Sequence, residues 1–149
     1  MRGAVRIRGR MQTDIERAKA YLKEGYTLAL CKEEEIYTSK ERGVKALLYF
    51  YDEGLSAGFS AADNVVGRGA AFLYALLGVK EVYAKVLSES AKDVLDKFSV
   101  PVTCEVLVPR IINRDKTGFC PIEEAVLKVQ EPLQAVCAIK NRIKELKTI

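Results

Sequence analysis

The stretch from Ser60 to Gly78, SAADNVVGRGAAFLYALLG, constrains the chain more than any other, because it is the longest segment with a helical apolar period. Ser60 stands where an N-cap would, and Asp63 three residues on completes a capping box with a shorter acid than usual. Ala62, Val65, Val66, Ala70, Leu73, Leu76 and Leu77 recur at helical spacing. Gly78 follows, where a left-handed residue stops a helix. The reading is one central helix over 60–77. Gly67 and Gly69 interrupt it, each at a cost of about 1 kcal/mol against alanine. Two such glycines imply a close approach by another backbone or by a ligand, and tight packing onto a sheet is the simpler account.

The rest of the chain arranges itself around that segment. Thr13-Asp14-Ile15-Glu16 is a capping box, and it opens a short amphipathic helix that Gly25 ends. Tyr26–Cys31 and Ile36–Ser39, joined by a charged turn, read as a β-hairpin. Val44, Leu47, Leu48 and Tyr51 give a second helix, ended by Gly54. After Gly78 come a strand over Val82–Leu87, a helix capped by Ser88 or Ser90, and a strand over Val102–Val108. Pro121 and Pro132 each suit the first turn of a further helix, and Glu123 sits favourably near the first of these starts. Alternating strands and helices predict an α/β fold, a sheet with helices on both faces and parallel later strands.

Charge is unevenly placed. Arg2, Arg6, Arg8 and Arg10 supply the whole net charge of +4, since the other Lys and Arg match the acids in number. Residues 1–12 therefore read as a basic, flexible N-terminal arm, and 13–149 as one domain. Met11 is a candidate natural start. The arm is the one part suited to nucleic acid; a binding domain would spread basic residues over a face. No apolar run reaches the ~18–20 residues of a membrane span, and no signal peptide shows. Cytoplasmic placement is expected, with a homo-oligomer left open.

Histidine is absent. That removes Ser-His-Asp and Cys-His catalysis and every imidazole metal site. Cys31, Cys104, Cys120 and Cys137 have no paired-cysteine spacing, so neither a zinc site nor any other cofactor is expected. Gly67-Arg68-Gly69 is a poor dinucleotide motif, because Phe72 fills the third glycine position. Asp63 is a candidate ligand contact or base as well as a cap. Arg114, Lys116, Thr117, Gly118 and Cys120 form a second candidate, a cationic loop before a helix start that suits an anion. Cys120 is also a candidate thiol nucleophile, though it has no evident base.

Two segments, SAADNVVGRGAA with its continuation GVKEVYAKVLSESA, and PRIINRDKTGFCPIEEAV, resemble the domain of unknown function 1893 family from Thr13 onward. The resemblance implies a three-layer α/β/α sandwich with a mixed sheet, similar to the cytidine deaminases. In those enzymes one helix opens with His-Ala-Glu or Cys-Ala-Glu and a second with Pro-Cys-x-x-Cys, together holding zinc. By order, Ala61-Ala62-Asp63 and Ser88-Glu89-Ser90-Ala91 stand in those places. The resemblance thus implies a deaminase-like fold with a degenerate site, lacking all three zinc ligands.

The expectation for function is a non-zinc module that binds a nucleotide-like or other anionic small molecule through Asp63, Arg68, Arg114, Thr117 and Gly118. The alternatives are a metal-independent enzyme with Asp63 as base and Cys120 as nucleophile, or a protein-interaction module without a small ligand.

Overall fold

The computed structural model describes residues 5–7, 10–41, 44–55, 57–112 and 120–147. Its elements are β1 (Val5–Ile7), β2 (Arg10–Gln12), α1 (Asp14–Lys23), β3 (Leu28–Lys32), β4 (Glu35–Ser39), α2 (Lys45–Asp52), β5 (Ser60–Val66), α3 (Arg68–Leu77), β6 (Glu81–Ser88), α4 (Glu89–Lys97), β7 (Val102–Val108), α5 (Pro121–Ala125) and α6 (Pro132–Lys147). Local signals account for many of them. Both halves of the Thr13–Glu16 capping box form, at 3.3 and 2.9 Å, and fix the start of α1. Ser88 accepts from the Ala91 amide at 3.0 Å and starts α4. The hairpin forms as β3 and β4, paired antiparallel from Leu28↔Ser39 to Lys32↔Glu35. Within the basic stretch, β1 and β2 make a small antiparallel ribbon separate from the main sheet.

The expected central helix is two elements. Ser60–Val66 is the strand β5, and only Arg68–Leu77 is helical. Asp63 therefore caps nothing, and Ala61-Ala62-Asp63 opens no helix. The reason is tertiary. β5 lies between β3 and β6, so its backbone is hydrogen-bonded on both sides. Ala61 joins the large core beneath α3, whereas Ala62 faces the small core beneath α1. A run of small residues suits a strand enclosed on both faces as well as it suits a helix, and periodicity does not separate the two. Gly67 marks the break. Gly78 ends α3 as expected, with φ 68°.

The main sheet has the order β4-β3-β5-β6-β7. β3 runs antiparallel to β4 and β5, whereas β5, β6 and β7 are parallel, so the sheet is mixed. Helices cover both faces unequally. α1 lies across β3 and β5, where Ala18, Ala29, Cys31, Ala62 and Tyr83 form a small core. α3 lies on the other face with α2, α4 and α6 against it, over a core that includes Leu30, Leu47, Phe59, Phe72, Leu73, Leu87, Leu95 and Ile139. β7 is an edge, and its residues Thr103 to Leu107 are all exposed. No helix among the described residues is long and apolar enough to cross a membrane.

Candidate functional site

Parallel strands that feed helices on one face bring the helix amino ends together at the strands' carboxyl edge. Here the carboxyl ends of β5, β6 and β7 border a cleft of about 250 Å³ lined by Arg68, Ser88, Ser90, Pro109, Arg110 and Glu123. Arg68 opens α3, while Ser88 caps α4 and Ser90 lies in its first turn. Pro109 and Arg110 follow β7, and Glu123 comes from α5.

The start of α3 is unusual. Its N-cap, Gly67, contributes no side-chain hydrogen bond. The missing acceptor comes from Glu123, whose carboxylate accepts from the Arg68 amide at 2.8 Å and the Gly69 amide at 3.1 Å. An acid at that position satisfies two orphan donors and opposes the positive end of the helix dipole. A Cβ at Gly67 would lie 2.5 Å from the Glu123 carboxyl carbon, so any other residue there would push that carboxylate off its present position. At Gly69 a Cβ would meet Ile122 at 3.0 Å and Ile139 at 3.3 Å. The two glycines thus admit α5 and α6, not the sheet suggested by the sequence.

Arg68 ties the same segment down. Its Nε donates to the Val126 carbonyl at 3.0 Å and its Nη1 to Ser90 Oγ at 3.0 Å. Nη2 donates to the Val129 carbonyl. The guanidinium also lies over the Phe72 ring, 5.1 Å from its centroid. Its geometry is set by these acceptors, and one side of it borders the cleft.

Asp63 lies elsewhere. From the middle of β5 its Oδ2 accepts from the hydroxyl of Tyr74, a fully buried residue of α3, at 2.6 Å. Oδ1 accepts from the Val65 amide at 3.3 Å. Burial pushes the Asp63 carboxyl up to about 7, against the lowering effect of the Tyr74 hydroxyl and nearby backbone amides. The Tyr74 phenol is raised as well, by burial and then by the Asp63 charge. Asp63 does not line the cleft, so the structure does not bring it together with Arg68.

Arg114, Lys116, Thr117 and Gly118 lie outside the described residues. Cys120 is the N-cap of α5, partly exposed, and does not line the cleft. Burial pushes the Cys31 thiol up to about 11, so it stays protonated at neutral pH. Among the described residues no group of three or more His, Cys, Asp or Glu could hold a metal ion.

Sequence reasoning reached Arg68 and missed Ser88, Ser90, Arg110 and Glu123 as site residues. Ser88 and Ser90 were legible as caps. Val65-Val66-Gly67 carried an overlooked signal, two β-branched residues before a glycine, which marks a strand end. Nothing local announces Glu123, which meets α3 across 55 residues of chain.

No curated protein matches the chain. Among solved structures, a crystal structure of a DUF1893 family protein from Thermotoga maritima is similar, with a TM-score of 0.77 and 21% identity. The similarity covers 83% of this chain and 85% of that one, and it shows a shared fold. The family described as "Domain of unknown function (DUF1893)" matches residues 17–143, from within α1 nearly to the end of α6. That span takes in the whole main sheet and the cleft at its carboxyl edge, and the chain belongs to the DUF1893 family.

Proposed function

We propose that the protein is a binding module for a small anionic, nucleotide-like molecule, held in the cleft at the carboxyl ends of β5, β6 and β7. One observation carries the reading: two helix amino ends and two guanidinium groups, those of Arg68 and Arg110, border the same cleft. Backbone amides at helix starts and arginine forks are the groups that recognise phosphate and carboxylate. The crevice beyond the carboxyl ends of parallel strands is also where open α/β sheets bind ligands. At about 250 Å³ the cleft is below the ~300–1,000 Å³ of drug-sized sites. It suits a small ligand or the phosphate-bearing part of a mononucleotide.

We read the layout as deaminase-like. The two helix starts that would carry zinc ligands in a deaminase are occupied here by Gly67-Arg68-Gly69 and Ser88-Glu89-Ser90-Ala91. This correspondence moves the first helix start from Asp63 to Arg68. It makes the cleft a binding site for an anion rather than a metal centre. The enzymatic alternative gains no support from the geometry, since neither Asp63 nor Cys120 borders the cleft.

The test is a thermal-shift and calorimetric panel of nucleoside monophosphates, neutral nucleosides and inorganic phosphate. A phosphorylated member present at 100 times its dissociation constant stabilises the native state by about 2.7 kcal/mol. Neutral nucleosides should not, and Arg110→Ala should weaken the bound member at least tenfold. Silence across the anionic members, or binding indifferent to Arg110→Ala, would remove the cleft as the site.

A further inference from the structure

Resting on that reading of the cleft, we infer that Glu123 is an internal occupant of its anion seat, and that α5 is an autoinhibitory latch which an anionic ligand displaces. The carboxylate of Glu123 takes the amides of Arg68 and Gly69, the donors an incoming phosphate oxygen would use at the start of α3. The same side chain borders the cleft, so its charge faces whatever anion enters. Both cannot hold those amides together.

A simple helix cap would not be built this way. Serine, threonine or aspartate at position 67 would satisfy the same amides locally. Instead the position is glycine, hollowed so far that a Cβ would overlap the visiting carboxyl group. The cap arrives from a separate short helix whose residues are none of them fully buried. α5 is held to α3 chiefly by the Glu123 carboxylate and by Ile122 against Gly69. On its other side α5 packs against α6, where Glu124 pairs with Arg142 at 3.4 Å, so the inferred opening is of the α3 side alone, a local step short of global unfolding. The Arg68 bonds to Val126 and Val129 lie after α5 and keep the chain tethered while it moves.

The test uses the full chain with inorganic phosphate as probe, and compares the wild type with Glu123→Gln. Glutamine keeps the length and a carbonyl acceptor but removes the competing charge. Its dissociation constant for phosphate should fall at least tenfold. In the wild type, saturating phosphate should speed hydrogen exchange at residues 122–125 and leave β6 unchanged. If Glu123→Gln binds no more tightly while the wild type binds, the latch is wrong and the cleft reading stands. If neither protein binds phosphate or any member of the nucleotide panel, the cleft reading falls and the latch with it. Should circular dichroism show Glu123→Gln unfolded, the wild-type exchange decides alone, and unchanged protection of α5 under saturating phosphate overturns the proposal.

Discussion

Arg68→Ala should lower the unfolding free energy by about 3–5 kcal/mol, since it removes several charge-assisted hydrogen bonds at once. The guanidinium serves the Val126 carbonyl, the Val129 carbonyl and Ser90 Oγ. Val126 is fully buried, so water cannot simply replace the lost donor there. Arg68→Lys should recover little, because one ammonium cannot reach three acceptors set in a planar fork. Urea denaturation by circular dichroism measures both variants. A loss under ~1 kcal/mol for Arg68→Ala would show that the α5–α6 connection is held by apolar packing instead.

Asp63→Asn should act in the opposite direction and depend on pH. In the unfolded chain the carboxyl ionises near its ordinary value of 3.8, whereas in the fold burial raises it to about 7. Between those values the folded chain holds a proton that the unfolded chain has released. Stability of the parent protein therefore falls as pH rises from 4 to 7, and stays lower above that. Asparagine keeps an acceptor for the Tyr74 hydroxyl and removes the ionisation. At pH 4 the two proteins should be nearly equal. At pH 8 the variant should be more stable by roughly 2 kcal/mol, a fraction of the ~1.4 kcal/mol per unit that the full shift would give. Denaturation midpoints across that range supply the check. A difference that does not change with pH would mean that Asp63 ionises as freely in the fold as outside it.

What the sequence disclosed follows the range of the interactions concerned. Thr13 with Glu16 and Ser88 with Ala91 act within one turn, so both helix starts were readable directly. The β3–β4 hairpin and the parallel β6–α4–β7 unit were readable from apolar runs and turn residues. β5 was not, because alanine, aspartate and asparagine carry little strand preference, and its strand state is imposed by β3 and β6. Misplacing β5 also misplaced Asp63, which became a cap on paper and is a hydrogen-bond partner of Tyr74 in the fold. Arg68 was recognised as a candidate, but its two carbonyl acceptors, Val126 and Val129, lie 58 and 61 residues away. Glu123 was read as an acid favouring its own short helix, whereas it completes a different one.

The hollow at Gly67 has an evolutionary corollary. Its side chain is a single hydrogen atom, and the volume beyond it is filled by the carboxyl group of residue 123. Two positions that share one volume cannot drift independently. Replacement of Glu123 by a shorter residue would empty the hollow and release position 67 to become alanine or serine, and serine there would cap α3 itself. An alignment of the family should accordingly show the pair changing together, with larger residues at 67 confined to chains lacking glutamate at 123. Frequent coexistence of alanine or larger at 67 with glutamate at 123 would mean that α5 and α3 sit farther apart in those relatives, and that the shared volume is peculiar to this branch.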